Sequence, residues 1–414
     1  MNNLAKRHDV ETWNYLKDLP YRDDEAPHAM LIIGQDHPKL LKPLEVQSRN
    51  AEEPVAVRTQ LGWAISGPVG KKTSSNFCAS LDEKVERFWR LDNAGVDVCS
   101  GMSVSDASTI RNWDENAKVV DSHYVLEIPF KHEEPDLPDN KQLAERRLEY
   151  LGKRLKKDEA LSIRYKQEID KLVEKQFAEK IKDSTATKGI TWYIPHHGVL
   201  NPNKPDKLRV VNDCSAKFDG VSLNSSVHQG PDLTNKLIGV LLRFRQKQYA
   251  IMSDVEAMYH QVVVPESQRD ALRFLWWQDG DPNKPVEIYR MTRHLFGGIW
   301  SASAANYALK RTALDNASQF DQDVVDAVLQ SFYVDDLLHA VDTEDSGIRV
   351  SQQIQELLAK GGFNLDKWVS SSRKILESVP EEKRAKSVQS LDLNRSELPV
   401  ERALGLVWHT DDDT

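Results

Sequence analysis

The stretch from Val328 to Val341 constrains this chain more than any other: apolar runs at 328–334 and 337–341 flank an adjacent acidic pair, Asp335-Asp336. Both runs read as strands, and Asx residues between strands read as a hairpin turn. Neighbouring strand residues face opposite ways, so the turn must bend if both carboxylates are to approach one site. Asp335 is then the dominant member of the pair. The plain alternative is an ordinary surface β-turn. A second stretch, Ala250-Ile-Met-Ser-Asp254, is a strand-like run that ends on a carboxylate. A strand-end aspartate beside an Asp-Asp hairpin is how a protein holds two divalent ions, because Mg2+ prefers hard oxygen ligands in octahedral geometry. Two such ions ~3.5–4 Å apart activate an attacking hydroxyl and stabilise a leaving pyrophosphate. Without a cation, clustered carboxylates repel one another and some protonate.

The flanking pattern gives the fold class. Strands are expected at 191–195, 207–211, 248–254, 261–264, 272–277, 287–291, 329–334 and 337–341, and helices at 234–245, 301–318 and 346–360. Strands closely followed by strands, with helices inserted, indicate α+β with an antiparallel sheet. Upstream, 140–182 carries Leu143, Leu148, Leu151, Leu155, Tyr165, Ile169 and Leu172 at helical spacing, broken near Lys157-Asp158. Basic residues Arg146, Arg147, Lys153, Arg154, Lys156 and Lys157 crowd this region. They form either a solvated face or a surface that tracks a nucleic-acid backbone. Residues 28–34 read as a strand stopped by glycine, and 56–67 alternate up to Gly67-Pro68. Residues 71–122 are rich in Ser, Asn and Asp and read as a linker with short helices, one of them at 81–91. Strand character returns at 123–130.

Composition excludes several classes. The 414 residues are 40% hydrophobic and 29% charged, too apolar for general disorder. No apolar run reaches the ~18 residues of a membrane span, and the N-terminus lacks a signal core, so secretion is not expected. Three cysteines, Cys78, Cys99 and Cys214, are too few and scattered for a disulfide framework or zinc site, which points to a reducing compartment. A net charge of −9 argues mildly against nucleic-acid binding, although a local basic groove is all that binding needs. His196-His197 lacks a carboxylate at ligand spacing. No phosphate-binding Gly-rich loop and no Gly-x-Ser-x-Gly elbow is present.

Five ordered motifs carry a family likeness: the strand ending at Asp254, Leu295-Phe-Gly-Gly298, Tyr333-Val-Asp-Asp336, Gly361-Gly-Phe-Asn-Leu-Asp-Lys-Trp368 and Leu404-Gly-Leu-Val-Trp408. Together they resemble a reverse transcriptase, and more narrowly the pol region of a Bel/Pao-type LTR retrotransposon. Leu208-Arg-Val-Val, Gly230-Pro-Asp-Leu233 and His294-Leu-Phe-Gly are similar to phrases of that group, and Leu61-Gly-Trp-Ala-Ile-Ser-Gly-Pro68 resembles the end of its retropepsin-like aspartic protease domain. The likeness implies an antiparallel palm sheet with fingers. The implied division is 1–70 protease remnant, 71–122 linker, 123–190 helical lead-in to the fingers, and 191–410 fingers and palm with the start of a primer grip.

It also implies roles. Asp254, Asp335 and Asp336 match the metal-binding carboxylates for two Mg2+ ions, with Mn2+ as a substitute. Tyr259 matches the steric gate that selects deoxynucleotides, against the alternative of a packed strand aromatic. Arg209, assisted by Lys207, matches the triphosphate contact, where a guanidinium suits phosphate bidentately, and Asp213 matches a structural acid in the same fingers motif. Phe296, Gly297 and Gly298 match the loop that packs on the templating base and nucleotide. Lys367 lies where a lysine protonates departing pyrophosphate, or is a surface residue. Leu404, Gly405, Leu406 and Trp408 match the hairpin that grips the primer. Implied partners are an RNA or DNA template with its primer and deoxynucleoside triphosphates. The implied setting is a cytoplasmic retroelement particle, or the nucleus.

The sequence departs from the family in places. Ser301 is followed by Ala302 rather than proline, and Asn212 stands where an aromatic is common. Most of a thumb, RNase H and integrase are expected to lie outside this sequence. The protease remnant lacks its Asp-Thr/Ser-Gly loop. Asp345-Ser-Gly347 matches the triplet but falls at an apparent helix start, where Asp or Ser serves as a cap. A catalytically poor fragment that only binds nucleic acid is therefore the rival expectation.

Overall fold

The computed structural model describes residues 44–48, 55–59, 62–66, 102–133, 135–181, 187, 189–201, 204–389 and 398–411. The chain divides into two compact units, Met1–Phe88 and Trp89–Thr414. In the first, β1 (Glu45–Gln47), β2 (Val55–Thr59) and β3 (Gly62–Ser66) form one antiparallel sheet in that order. The alternating stretch 56–67 is thus two paired strands, with Thr59 opposite Gly62. The strand expected at 28–34 and the helix at 81–91 lie outside the described residues.

The second unit opens with α1 (Val104–Asn116), β4 (Lys118–Val120) and β5 (His123–Val125). Residues 102–122, expected as linker, belong to its packing. Trp113 of α1 is 1% exposed, and its indole donates to the Glu127 carbonyl at 3.0 Å. Next come α2 (Lys141–Leu155) and α3 (Glu159–Glu174), separated where the periodicity breaks. Asp158 causes the restart: its carboxylate caps α3 by accepting from the Leu161 amide at 2.9 Å. Both helices bury the apolar stripe read from sequence, and Leu148, Leu155, Leu161, Tyr165 and Ile169 join the main core.

β6 (Ala178–Lys180) pairs with β11 (Val286–Met291), which pairs with β10 (Arg273–Trp277). β7 (His196–Asn201) and β8 (Lys204–Asn212) form a separate hairpin. The strand expected at 191–195 therefore starts later. Trp192, Tyr193 and Ile194 are buried irregular chain, and His196 begins the strand. Its Nδ1 accepts from the Tyr165 hydroxyl at 2.6 Å and its Nε2 faces the Leu275 carbonyl at 2.9 Å, while burial pushes its pKa down to about 4. A neutral, fully partnered core histidine results. Residues 261–264 are likewise not a strand: a 3-10 turn, Met258–Gln261, precedes an isolated bridge at Val263.

The four-stranded sheet lies at the centre, in the order β12 (Phe332–Tyr333), β13 (Asp336–Val341), β9 (Tyr249–Val255), β14 (Leu365–Ser370), with every pair antiparallel. Alternate residues of its strands feed two cores. Ile251, Val255, Leu337 and Val341 join the main cluster, while Ala250, Leu338 and Val369 join a second one. The main cluster draws on α5 (Ser301–Asp315), α6 (Gln322–Gln330) and α7 (Glu344–Ala359). The second draws on α4 (Leu237–Phe244), α8 (Arg373–Glu377), α9 (Lys386–Gln389) and the hairpin of β15 (Val400–Ala403) and β16 (Leu406–His409). The strand expected at 329–334 shrinks to two residues, because Val324, Val325, Ala327 and Val328 pack as one face of α6 and a short apolar run does not by itself distinguish helix from strand. The described residues therefore have an α+β architecture of small antiparallel sheets. No helix among them is long and apolar enough to cross a membrane.

Candidate active site

Register builds the site. In the β9–β13 pairing Asp336 stands directly opposite Asp254, and in the β9–β14 pairing Asp366 stands opposite Asp254 from the other side. One hydrogen bond extends the ladder past the turn, from the Val255 amide to the Asp335 carbonyl at 2.8 Å. The acidic pair and the strand-end aspartate thus share one end of one sheet. The turn does bend: Tyr333 pairs with Asp336, leaving Val334 and Asp335 as the two-residue connection, and Val334 takes φ 56°. A β-branched residue in the left-handed region costs about 1–3 kcal/mol and persists only when its surroundings impose it. Here the Asn235 side-chain amide donates to the Phe332 carbonyl at 2.8 Å, fixing the residue before the turn.

The electrostatics are those of crowded acids. Burial first, then the charges of Asp335 and Asp254, push Asp336 up to about 6, with Lys367 opposing. Asp335 is also raised, by burial first and then by Asp254, while a backbone hydrogen bond, Lys367 and Arg209 pull it down. Lys367 answers part of this charge directly, its Nζ lying 2.9 Å from Asp254 Oδ2. A bulge between Asp366 and Val369 and a φ of 57° at Lys367 put it there.

Nearby, Ala257 in the left-handed region starts the 3-10 turn that presents Tyr259. The Tyr259 ring lies 4.9 Å from that of Phe296, and burial followed by the Asp335 charge raises its hydroxyl pKa. Phe296 is 61% exposed because its neighbours are anchored: Leu295 is buried, and His294 Nδ1 accepts from Trp300 Nε1 at 2.9 Å while its Nε2 faces the Leu126 carbonyl. Gly297 has φ 114°, and a Cβ there would meet the Asn212 carbonyl oxygen at 2.0 Å. The loop can lie on the end of β8 only with glycine at this position. Gly298 lies against the Trp300 ring, and Asn224 bridges the loop, donating to the Gly297 carbonyl and accepting from the Ile299 amide.

Arg209 is exposed on β8, with its charge felt at Asp335. Arg147 on α2 reaches Asp213 at 3.0 Å, tying the helix to the residue after that strand. Lys207 belongs to β8, and its side chain lies outside what is described. Leu404 and Gly405 form the β15–β16 turn, both at positive φ, and Leu406 is exposed. Trp408 is buried instead, its ring 5.0 Å from that of Phe244, and Tyr333 and Leu404 pack against the same second cluster. Asn235, Asn224 and His294 had no role assigned from sequence. Asn235 and Asn224 meet partners that only tertiary contact supplies, and His294, quoted only as part of a motif phrase, joins Trp300 six residues on to the distant Leu126 carbonyl.

The donor set suits a hard cation: oxygen ligands from two strands that repel one another when ionised. As they stand, no three His, Cys, Asp or Glu side chains among the described residues are gathered closely enough to hold a metal ion. The backbone brings the three aspartates together, and the Lys367 ammonium takes the position of a counter-charge at Asp254. A scan against family models and a search of curated proteins each find no match to this chain.

Proposed function

We propose that the chain is an RNA-directed DNA polymerase of reverse-transcriptase type, with the four-stranded sheet as palm and the β7–β8 hairpin as part of the fingers. The observation that carries the reading is the register that sets Asp254 against Asp336, one residue from Asp335. Asp254, Asp335 and Asp336 would hold two Mg2+ ions, or Mn2+, which when bound supply activation of the attacking hydroxyl and neutralisation of the leaving pyrophosphate. Phosphoryl transfer asks little covalent help of a protein, so positioning carries the rest.

The primer 3′-hydroxyl attacks the α-phosphate of a deoxynucleoside triphosphate paired to the RNA or DNA template. Arg209 on β8 steadies the triphosphate. Tyr259, braced by Phe296, crowds the place of a ribose 2′-hydroxyl. Gly297 and Gly298 let backbone approach the nucleotide, Lys367 hands a proton to pyrophosphate, and the turn at Leu404 and Gly405 meets the primer. Base pairing reads the sequence, so contacts fall mostly on backbone and sugar. Work in a cytoplasmic retroelement particle, or in the nucleus, fits this chemistry.

Primer extension on a homopolymer RNA template with Mg2+ tests the reading. Incorporation should occur in the wild type and vanish in Asp335→Asn and Asp254→Asn. Incorporation indifferent to Asp335→Asn refutes the site. A second reading, binding of primer-template without copying, is favoured by the Lys367–Asp254 ion pair. It predicts duplex binding with no extension in either metal.

A further inference from the structure

Away from the acidic sheet end, a cavity of about 600 Å3 opens between the β4–β5 hairpin, the end of α3 with β6, and the segment leading through Pro265 to Arg269. Its size falls within the ~300–1,000 Å3 of small-molecule sites. None of the residues assigned to polymerisation lines it. Val125, Val173, Val263 and Pro265 make an apolar wall, and Arg269 and Arg293 supply guanidinium groups.

Three acids, Asp121, Glu179 and Glu266, and three bases, Lys180, Arg269 and Arg293, line this cavity, and most of them are already paired. Glu179 is taken by Arg290 at 2.7 Å and by Arg269 at 3.5 Å, Glu266 lies 3.6 Å from Arg290, and Lys180 is paired with Glu287 at 2.7 Å. Arg269 also donates from Nε to the Val264 carbonyl at 3.0 Å. Arg293 has no such partner among the described residues, and its Nη1 is buried without a hydrogen bond. Burial and the like charge of Arg269 both act against this guanidinium, with Asp121 opposing. A guanidinium does not escape by losing its proton, and an unmade hydrogen bond from a buried charged group is expensive. A forked donor against an apolar wall is complementary to a planar or tetrahedral oxyanion that carries an apolar body.

We propose that this cavity binds an organic oxyanion, its carboxylate or phosphate head at Arg293 and its apolar body along the valine wall. The site is separate from the polymerase reading and stands or falls without it.

Calorimetric titration of the full chain with 1-naphthyl phosphate, 1-naphthoate and neutral 1-naphthol tests the proposal. At least one anion should bind, with affinity about tenfold or more weaker in Arg293→Met, as expected for loss of a charge-assisted pair. Naphthol should bind more weakly than that anion by a similar factor. Preference between the two anions assigns the head group. Val173→Trp, at an exposed helix position, should fill the cavity and abolish binding, which keeps the test valid if Arg293→Met does not fold. Failure of both anions to bind overturns the proposal. So does equal affinity for naphthol, or affinity unchanged in the variants.

Discussion

Asp336 shows what one side chain gains and loses on folding. Its carboxyl is pushed up to about 6 by burial and by two neighbouring acids. Between pH 4 and 6 the native state then holds a proton that the unfolded chain releases, so this group's contribution to stability falls as pH rises through that window and is constant above it. Asp336→Asn should raise metal-free stability at pH 7 by about 1–3 kcal/mol, the two proteins converging below about pH 4. Urea denaturation in a chelating buffer at both pH values reads this, and a difference independent of pH would contradict the assigned crowding. The type and place of these residues were legible in the chain, because an acidic pair between apolar runs and an aspartate ending another run are local patterns. The Lys367 contact with Asp254 was not legible, since it depends on a bulge and a positive φ that no spacing rule reports.

Among the elements, the loop of Phe296 and Gly297 is the one whose sequence and geometry bind each other most tightly. Gly297→Ala places a methyl group 2.0 Å from a backbone oxygen at a φ that L-residues avoid. The loop must then leave the end of β8, which withdraws Phe296 from Tyr259. A loss of about 2–3 kcal/mol in thermal or urea unfolding is expected, with the larger effect on any nucleotide-dependent activity. Stability within 0.5 kcal/mol of wild type would mean the contact with Asn212 is unimportant. Element type was readable wherever periodicity ran long, as in α2, α3, α5 and α7. It failed at 191–195, 261–264 and 329–334, where short apolar runs suit buried coil, a 3-10 turn or a helix end as well as a strand. Asp345-Ser-Gly347 does lie at a helix start, but the cap is Thr343, in a reciprocal pair with Ser346.

For the molecule as a whole, Trp113 tests where the second unit begins. It packs on Tyr307 at 5.3 Å and donates to the Glu127 carbonyl, although composition marked its neighbourhood as linker. Trp113→Ala should cost about 3–5 kcal/mol in urea unfolding, the usual result of emptying a core tryptophan site. A cost under 1 kcal/mol would return α1 to a peripheral role. The sequence by itself determined the local vocabulary: the amphipathic helices, the break that Asp158 caps, the strand ending at Asp254 and the hairpin carrying Asp335 and Asp336. Periodicity, capping and turn chemistry act over a few residues and leave their mark there. Only the tertiary structure decided that Asp336 faces Asp254, that Asn235 and Asn224 hold the surrounding turns, and that Arg293 borders a cavity with its Nη1 lacking a hydrogen bond among the described residues. Those outcomes depend on strand register and on side chains meeting across about 70 to 100 positions, where burial and charge act on neighbours that the linear order does not identify.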